Sequence, residues 1–394
     1  MIALAYALDL IEIDVLGTVS YHSRRVAYMS ARAAENLGAV PEEVFDLVSL
    51  ALLHDNGLAE ATVRRDAGFS GPLDMDRIEG IRNHCIVGER IVEEAPFDGR
   101  HRSVILYHHE NHDGSGYFGI PGSQVPLFSR IIHAADAVAL AFDLRETGWQ
   151  AKQDVSRFLE SGRGSRFAPE VVTALQRAMR RPAFWLDLRE EHLEAALRAC
   201  SPAVPRELDY SRLRQITATF SRVIDFKSRF TRSHSHGLAA RAARMAGRYG
   251  WQEEDSVRLQ IAADLHDIGK LTVANAILDK PGGLEPRERD VVENHTYYTR
   301  MVLAKVRGFE EITEWASNHH ERLDGSGYPF GLAATGLDRG SRLLGALDSY
   351  QALTEDRPYR AAMPHDSAIG ILRLAASEGR LEASIVEDIA AEFA

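Results

Sequence analysis

The chain is short of several things, and each shortage narrows what it can be. Its 394 residues include only two cysteines, Cys85 and Cys200. Two isolated cysteines outside any CxxC pattern do not make a disulfide framework. Both are read as buried thiols with no part in the polar motifs below. No uninterrupted apolar run reaches the roughly 18 residues that a membrane helix needs. The opening MIALAYALDLIEIDVLG has no basic n-region and is interrupted by Asp9, Glu12 and Asp14, so it is read as neither a signal peptide nor a span. The expectation is a cytoplasmic protein with no membrane partner. Positive charge is short too. The formal net charge is −11, which gives no overall attraction for DNA, RNA or an anionic bilayer. A phosphate-bearing substrate would have to be held by local metals or arginines.

What is present is a repeat. His22, His54-Asp55, His84, His108-His109-Glu110, DGSGY from Asp113 to Tyr117, and Asp136 recur as His234, His266-Asp267, His295, His319-His320-Glu321, DGSGY from Asp324 to Tyr328, and Asp348. The displacement is 211 or 212 residues throughout. Six polar landmarks do not keep register by chance, so the chain holds two copies of one domain. The expected organisation is an N-terminal copy within 1–185, a connector at 186–222 and a C-terminal copy at 223–394. Pro182, Pro202 and Pro205 would break any continuous helix between the copies.

Both copies carry the 3.6-residue period. PEEVFDLVSLALLHD follows Pro41 with an acidic first turn, and QEEDSVRLQIAADLHDIGK places Leu259, Ala262, Ala263 and His266 on one face. Strand signals are sparse. The predicted fold is all-α: two helical bundles in tandem, joined by a helical connector, with polar sites built between facing helices.

In the C-terminal copy the landmarks His234, His266, Asp267, His295, His319, His320 and Asp348 are five imidazoles and two carboxylates. A single histidine is more often a hydrogen-bonded core or surface residue than a ligand. The set reads differently, because neighbouring imidazoles and carboxylates inside apolar helices are costly unless paired or metallated. These donors suit first-row metals such as Fe or Mn. Seven are too many for one tetrahedral centre and suit two divalent ions, with Asp267 as a bridge.

The run LHDIGK, Leu265 to Lys270, resembles the motif of the HD superfamily. HHERLDGSGYP, His319 to Pro329, adds the Gly-Tyr-Pro signature of the HD-GYP family, and DSYQALTEDRPYR, Asp348 to Arg360, resembles that family's downstream segment. The resemblance covers about 170 residues of the C-terminal copy and implies an HD-type helical fold. It also implies hydrolysis of cyclic dinucleotides, most plausibly cyclic di-GMP to pGpG or GMP, through a metal-bridged hydroxide. The alternatives are another nucleotide such as 3′,3′-cyclic GMP-AMP, or a non-catalytic dinucleotide-binding scaffold for a signalling partner. The family's usual Gly-His-Ser-x-Arg-Val start is Ser233-His234-Ser235-His236-Gly237-Leu238 here. Members that resemble three-metal sites carry a Glu where this chain has Phe230, which points to two metals.

An anionic phosphodiester repels nucleophiles, and metals that acidify water and neutralise the phosphate overcome that. Cations must also face the non-bridging oxygens. Lys270 follows Asp267 by three residues and is assigned to catalysis and phosphate binding. The family resemblance assigns Arg357 and Arg360 to phosphate, which Arg can grip in bidentate fashion. Gly325, Gly327 and Pro329 are read as shaping a loop.

The N-terminal copy keeps every candidate ligand: His22, His54, Asp55, His84, His108, His109 and Asp136. It lacks the phosphate handles. Leu58 replaces Lys270, Phe118 replaces Pro329, and no DRPYR-like run follows Asp136. Three readings compete: a metal-loaded pseudo-enzyme, a catalyst for another phosphate substrate, and a regulatory ligand site. The duplication also leaves open an intrachain pseudo-dimer or a homodimer.

Overall fold

The computed structural model describes residues 21–58, 81–93, 101–145, 148–201, 209–226, 234–280, 282–356 and 361–394. Among them every regular element is helical, and only two isolated β-bridges occur, Arg163 with Phe167 and Asp324 with Ala333. The all-α expectation holds. None of the described helices is long and apolar enough to cross a membrane. Described residues up to Ser201 gather in one compact unit, and those from Asp209 onward form a second.

The first unit is built around α1 (His22–Asn36), which packs against α2 (Pro41–Leu52), α4 (Leu127–Ala141), α6 (Pro169–Met179) and α8 (Glu190–Cys200). Ala27, Ala31, Ala33 and Ala34 keep α1 thin enough to be enclosed on several sides. α2 starts with Pro41 where a helix needs no amide donor, and the Glu43 carboxylate accepts the Val40 amide at 3.1 Å. α3 (Ile81–Val92) carries His84 and α4 carries Asp136, while α5 (Trp149–Ser161) and α7 (Pro182–Asp187) both lie against α6.

The second unit comprises α9 (Tyr210–Phe226), α10 (His234–Arg248), α11 (Glu253–Leu265), α12 (Asn275–Leu278), α13 (Pro286–Leu303), α14 (Glu310–Ser317), α15 (Arg339–Thr354), α16 (His365–Ser377) and α17 (Ala383–Glu392). α11 is its central strut and packs on α9, α10, α14 and α15. Leu259, Ile261, Ala262, Ala263 and Leu265 have no exposed surface. Each of the larger side chains contributes about 1.5–3 kcal/mol by leaving water.

Asp338 clamps α14 to α15. Its carboxylate caps α15 through the Ser341 amide at 2.8 Å and accepts the Trp315 indole N–H of α14 at 2.6 Å. That clamp fixes the end of α14, where His319 and His320 follow, against the helix carrying Asp348. The stretch 186–222, expected as a connector, is largely helical where described. Its two helices side with different units, α8 on α1 and α9 on α11.

Candidate active site

In each unit a buried helix runs out at a His-Asp pair. α11 ends at Leu265, and His266 and Asp267 lead into a 3-10 turn, Ile268–Thr272. Gly269 is required because a Cβ there would stand 1.9 Å from the His295 carbonyl oxygen on α13. Thr299 stitches the same junction: its hydroxyl donates to the His266 carbonyl at 2.8 Å and accepts the Gly269 amide at 3.1 Å. The N-terminal copy repeats the approach, with Gly57 against the His84 carbonyl at 2.1 Å by the same measure.

The donors then converge. Asp267 Oδ2 lies 3.2 Å from His266 Nε2 and 2.6 Å from Lys270 Nζ, while its Oδ1 lies 3.3 Å from His295 Nε2 and 3.9 Å from His319 Nε2. Asp348 Oδ1 is 3.8 Å from His266 Nε2. The ring of His320 stacks at a tilt on His319, with centroids 4.1 Å apart. Two overlapping groups able to hold an ion result, His266–Asp267–His319 and His295–His319–His320. The backbone of His234 opens α10, but its side chain lies outside the described residues, as do Arg357 and Arg360.

The N-terminal copy has the same plan. Asp55 Oδ2 faces His54 at 3.2 Å and His22 at 3.8 Å, and its Oδ1 faces His84 at 3.5 Å and His108 at 3.7 Å. Asp136 Oδ1 lies 2.9 Å from His22 Nε2 and 3.7 Å from His54 Nε2, and its Oδ2 lies 3.7 Å from His109 Nδ1. Leu58 is buried where the other copy has Lys270. One expectation is corrected here. Cys85 is not remote from the motifs: its Sγ lies 3.6 Å from His84 Nε2 and groups with the donor atoms of His84, His108 and His109.

Whether these residues suit a metal can be judged from their hydrogen bonds. In His54, His108, His266, His295 and His319 the Nδ1–H donates to the carbonyl three residues earlier, at 2.6–2.8 Å. That bond fixes each ring's orientation and aims its Nε2 at the cluster, the usual outer-shell arrangement of a metal-bound imidazole. At the centre, Asp55 Oδ1 and Asp267 Oδ1 are buried and make no hydrogen bond. Orphaned acceptors packed this closely are costly without a cation. The donor set of each copy fits divalent metal.

Electrostatics point the same way in the C-terminal copy. Burial alone disfavours charge on Asp267, yet His266 and Lys270 hold its carboxyl well below the usual carboxylate range. Burial, assisted by neighbouring imidazoles, pushes His320 down to about 3 and His319 well below its ordinary value. Both rings are therefore neutral and ready to ligate.

Beside this cluster opens a cavity of 590 Å³ lined by Lys270, His320, Tyr328, Asp348, Arg322 and Arg380. Ligand pockets usually span roughly 300–1,000 Å³. Sequence reading did not assign Arg322 and Arg380, which are 58 positions apart and meet only through packing. It also gave Glu321 no role. The Glu321 carboxylate accepts the Phe330 and Leu332 amides at 2.7 and 2.9 Å and so anchors the Gly-Tyr-Pro loop, and Glu110 does the same for Phe118 and Ile120. Gly327 lets that loop lie on the backbone of Glu321, where a Cβ would stand 2.4 Å from its Cα.

Family models described as HD domain match residues 218–385 and, separately, 19–141. The chain is 32% identical to 3′3′-cGAMP-specific phosphodiesterase 1 of Vibrio cholerae over 98% of its own length and 89% of that protein. The chain belongs to the HD-GYP family of phosphodiesterases. Another HD-GYP relative is the cyclic di-GMP phosphodiesterase response regulator RpfG of Xanthomonas campestris, 32% identical over 43% of this chain and 45% of that protein. Among solved structures, the cyclic GMP-AMP specific phosphodiesterase V-cGAP3 of V. cholerae superposes with a TM-score of 0.67 at 25% identity, covering all of this chain and 96% of that one. HD domains are metal-dependent, which agrees with the two histidine–aspartate clusters found here.

The depressed imidazoles of this HD-GYP site carry a pH signature in metal-free protein. His320 titrates at about 3 when folded and 6.5 ordinarily. Between those values the unfolded chain binds a proton that the native state refuses. The stabilisation from neutral His320 and His319 is thus present above about pH 6.5 and lost as pH falls. His54 and His108 are shifted upward, so their contribution is constant in that window. The melting temperature of chelator-stripped protein is expected to climb steadily from about pH 4 to 6.5. A flat profile would mean that these rings titrate freely.

Proposed function

We propose that the C-terminal copy hydrolyses a cyclic dinucleotide, with 3′,3′-cyclic GMP-AMP preferred over cyclic di-GMP. The observation that carries this reading is the match to a cyclic GMP-AMP phosphodiesterase across both copies and nearly the whole chain. The relative named for cyclic di-GMP matches less than half of it. The sequence reading favoured cyclic di-GMP because the Gly-Tyr-Pro and DRPYR segments are intact. Those segments handle phosphate and loop shape and read no base edge, so they give no reason to prefer guanine over adenine.

His266, Asp267, His295, His319, His320 and Asp348, with His234 from the start of α10, would hold two divalent ions, Fe or Mn by donor type. Bound there, the ions supply an acidified water and positive charge for the phosphate. The chain's own groups do the rest. The carbonyl bonds to Nδ1 keep His266, His295 and His319 in one tautomer and one orientation. Lys270, bonded to Asp267 at the cavity wall, places an ammonium where charge grows on a non-bridging oxygen. Arg322 and Arg380 present guanidinium groups to the same cavity, where the second phosphate of a cyclic dinucleotide would lie. Leu353, Ile371 and Leu372 give the bases an apolar wall. The N-terminal copy keeps the donors without the lysine, and we assign it metal binding without turnover.

Side-by-side kcat/KM values with both dinucleotides, on protein reconstituted anaerobically with Fe(II) or Mn(II), test the reading. A preference for 3′,3′-cyclic GMP-AMP of about tenfold or more is expected, equal to about 1.4 kcal/mol of differential transition-state binding. Parity or reversal would return the assignment to cyclic di-GMP. No turnover of either at full metal load would remove both substrates.

A further inference from the structure

We propose that the N-terminal copy binds metal through a mixed nitrogen–sulfur donor set in which Cys85 is a ligand. The inference rests on the reading that this copy holds metal. It departs from the all-nitrogen-and-oxygen set of the C-terminal copy.

Four donor atoms, from His84, Cys85, His108 and His109, lie within 4.8 Å of one another. Cys85, His84 and His108 have no exposed surface. The His84 and His108 Nε2 atoms are 3.3 Å apart, and the Cys85 Sγ is 3.6 Å from the former. The His108 Nδ1–H donates to the Ile105 carbonyl at 2.6 Å, which turns its Nε2 toward His84. His84 is wholly buried and its Nδ1 finds no hydrogen-bond partner. Lone pairs and a polarisable sulfur crowded into a dry space call for a cation among them.

The C-terminal copy shows what the same place looks like without sulfur. Thr296 follows His295 as Cys85 follows His84. The Thr296 hydroxyl turns back to the Glu293 carbonyl of its own helix at 3.0 Å, and His295 Nδ1 bonds the Val292 carbonyl at 2.6 Å. Among the described residues, neither Thr296 nor any other side chain brings sulfur to that cluster.

Binding is a simple exchange. The thiol gives its proton to solvent as the sulfur–metal bond forms, and no electron moves. Thiolate is a soft donor, so the N-terminal copy should favour Zn(II), Co(II) or Fe(II) over Mn(II), while the C-terminal copy accepts harder ions. One chain would then carry two metal preferences.

Cobalt reads this directly. Full-length protein is stripped with chelator and loaded anaerobically with Co(II). Bound cobalt per chain is then counted, and the near-ultraviolet sulfur-to-cobalt charge-transfer band is recorded. The band is expected in the wild type and in Cys200→Ser, and it should vanish in Cys85→Thr, Cys85→Ser and Asp55→Ala. A wild type without the band, in which Asp55→Ala still lowers bound cobalt, leaves metal in the N-terminal copy and overturns the role of Cys85. A wild type without the band whose cobalt count ignores Asp55→Ala overturns the metal reading itself. A band that survives in well-folded Cys85→Thr or Cys85→Ser also overturns the assignment. The wild-type spectrum decides even if both Cys85 variants misfold.

Discussion

Replacing Asp267 with alanine is expected to lower cyclic-dinucleotide turnover by at least about 10³-fold while the helices remain. The expectation follows from where its two oxygens sit. One faces His266 and Lys270, the other His295 and His319. Loss of Asp267 leaves three buried imidazole nitrogens directed at a space with no anion between them, which opposes binding of two cations. Metal per chain should therefore fall with activity, and circular dichroism should keep its helical signal. The His266→Ala/Asp267→Ala double variant should do no better. Turnover within tenfold of the wild type in either protein would sink the site assignment.

The second large effect belongs to Lys270. Lys270→Ala is expected to lower kcat by about 10²–10³-fold, the usual range when a preorganised donor to a charged transition state is removed. Metal per chain should not fall, because an ammonium beside Asp267 repels cations and ligates none. That contrast separates the two variants: activity and metal fall together at Asp267 and part company at Lys270. Metal loss in Lys270→Ala would instead place the lysine among the groups that hold Asp267 in position. Lys270→Arg is a further comparison, since a planar guanidinium seldom substitutes for a compact ammonium.

Much of this centre was legible before any coordinates, because its ligands are encoded locally. A His-Asp pair at the end of a buried helix and a His-His pair at the end of another recur at a fixed displacement. The structure brings both sets around one central carboxylate, Asp55 or Asp267. What the sequence hid depends on packing between distant segments. Arg322 and Arg380 share a cavity only because α16 and α17 fold back on α15. Glu321 looked like one more polar residue in a motif, and its anchoring of two loop amides is a matter of backbone path. Cys85 was read as an isolated buried thiol because it sits in no CxxC pattern, whereas His84, His108 and the thiol turn toward one space. The choice between cyclic di-GMP and 3′,3′-cyclic GMP-AMP was not legible for a different reason: no motif in the sequence distinguishes guanine from adenine, and the relative matching nearly the whole chain is named for cyclic GMP-AMP.

The carbonyl three residues before a ligating histidine has a consequence for how such a protein can evolve. The imidazoles of His54, His108, His266, His295 and His319 are each steadied by their own stretch of main chain, so the support travels with the ring whenever the segment is copied. Duplication of one stretch of coding sequence would then deliver a finished coordination cage, with no second set of changes needed to brace it. Afterwards the cavity wall could drift, as Leu58 and Phe118 differ from Lys270 and Pro329, while the buried rings would keep their bracing. A repeated domain of this kind can lose a reaction without losing its mineral content.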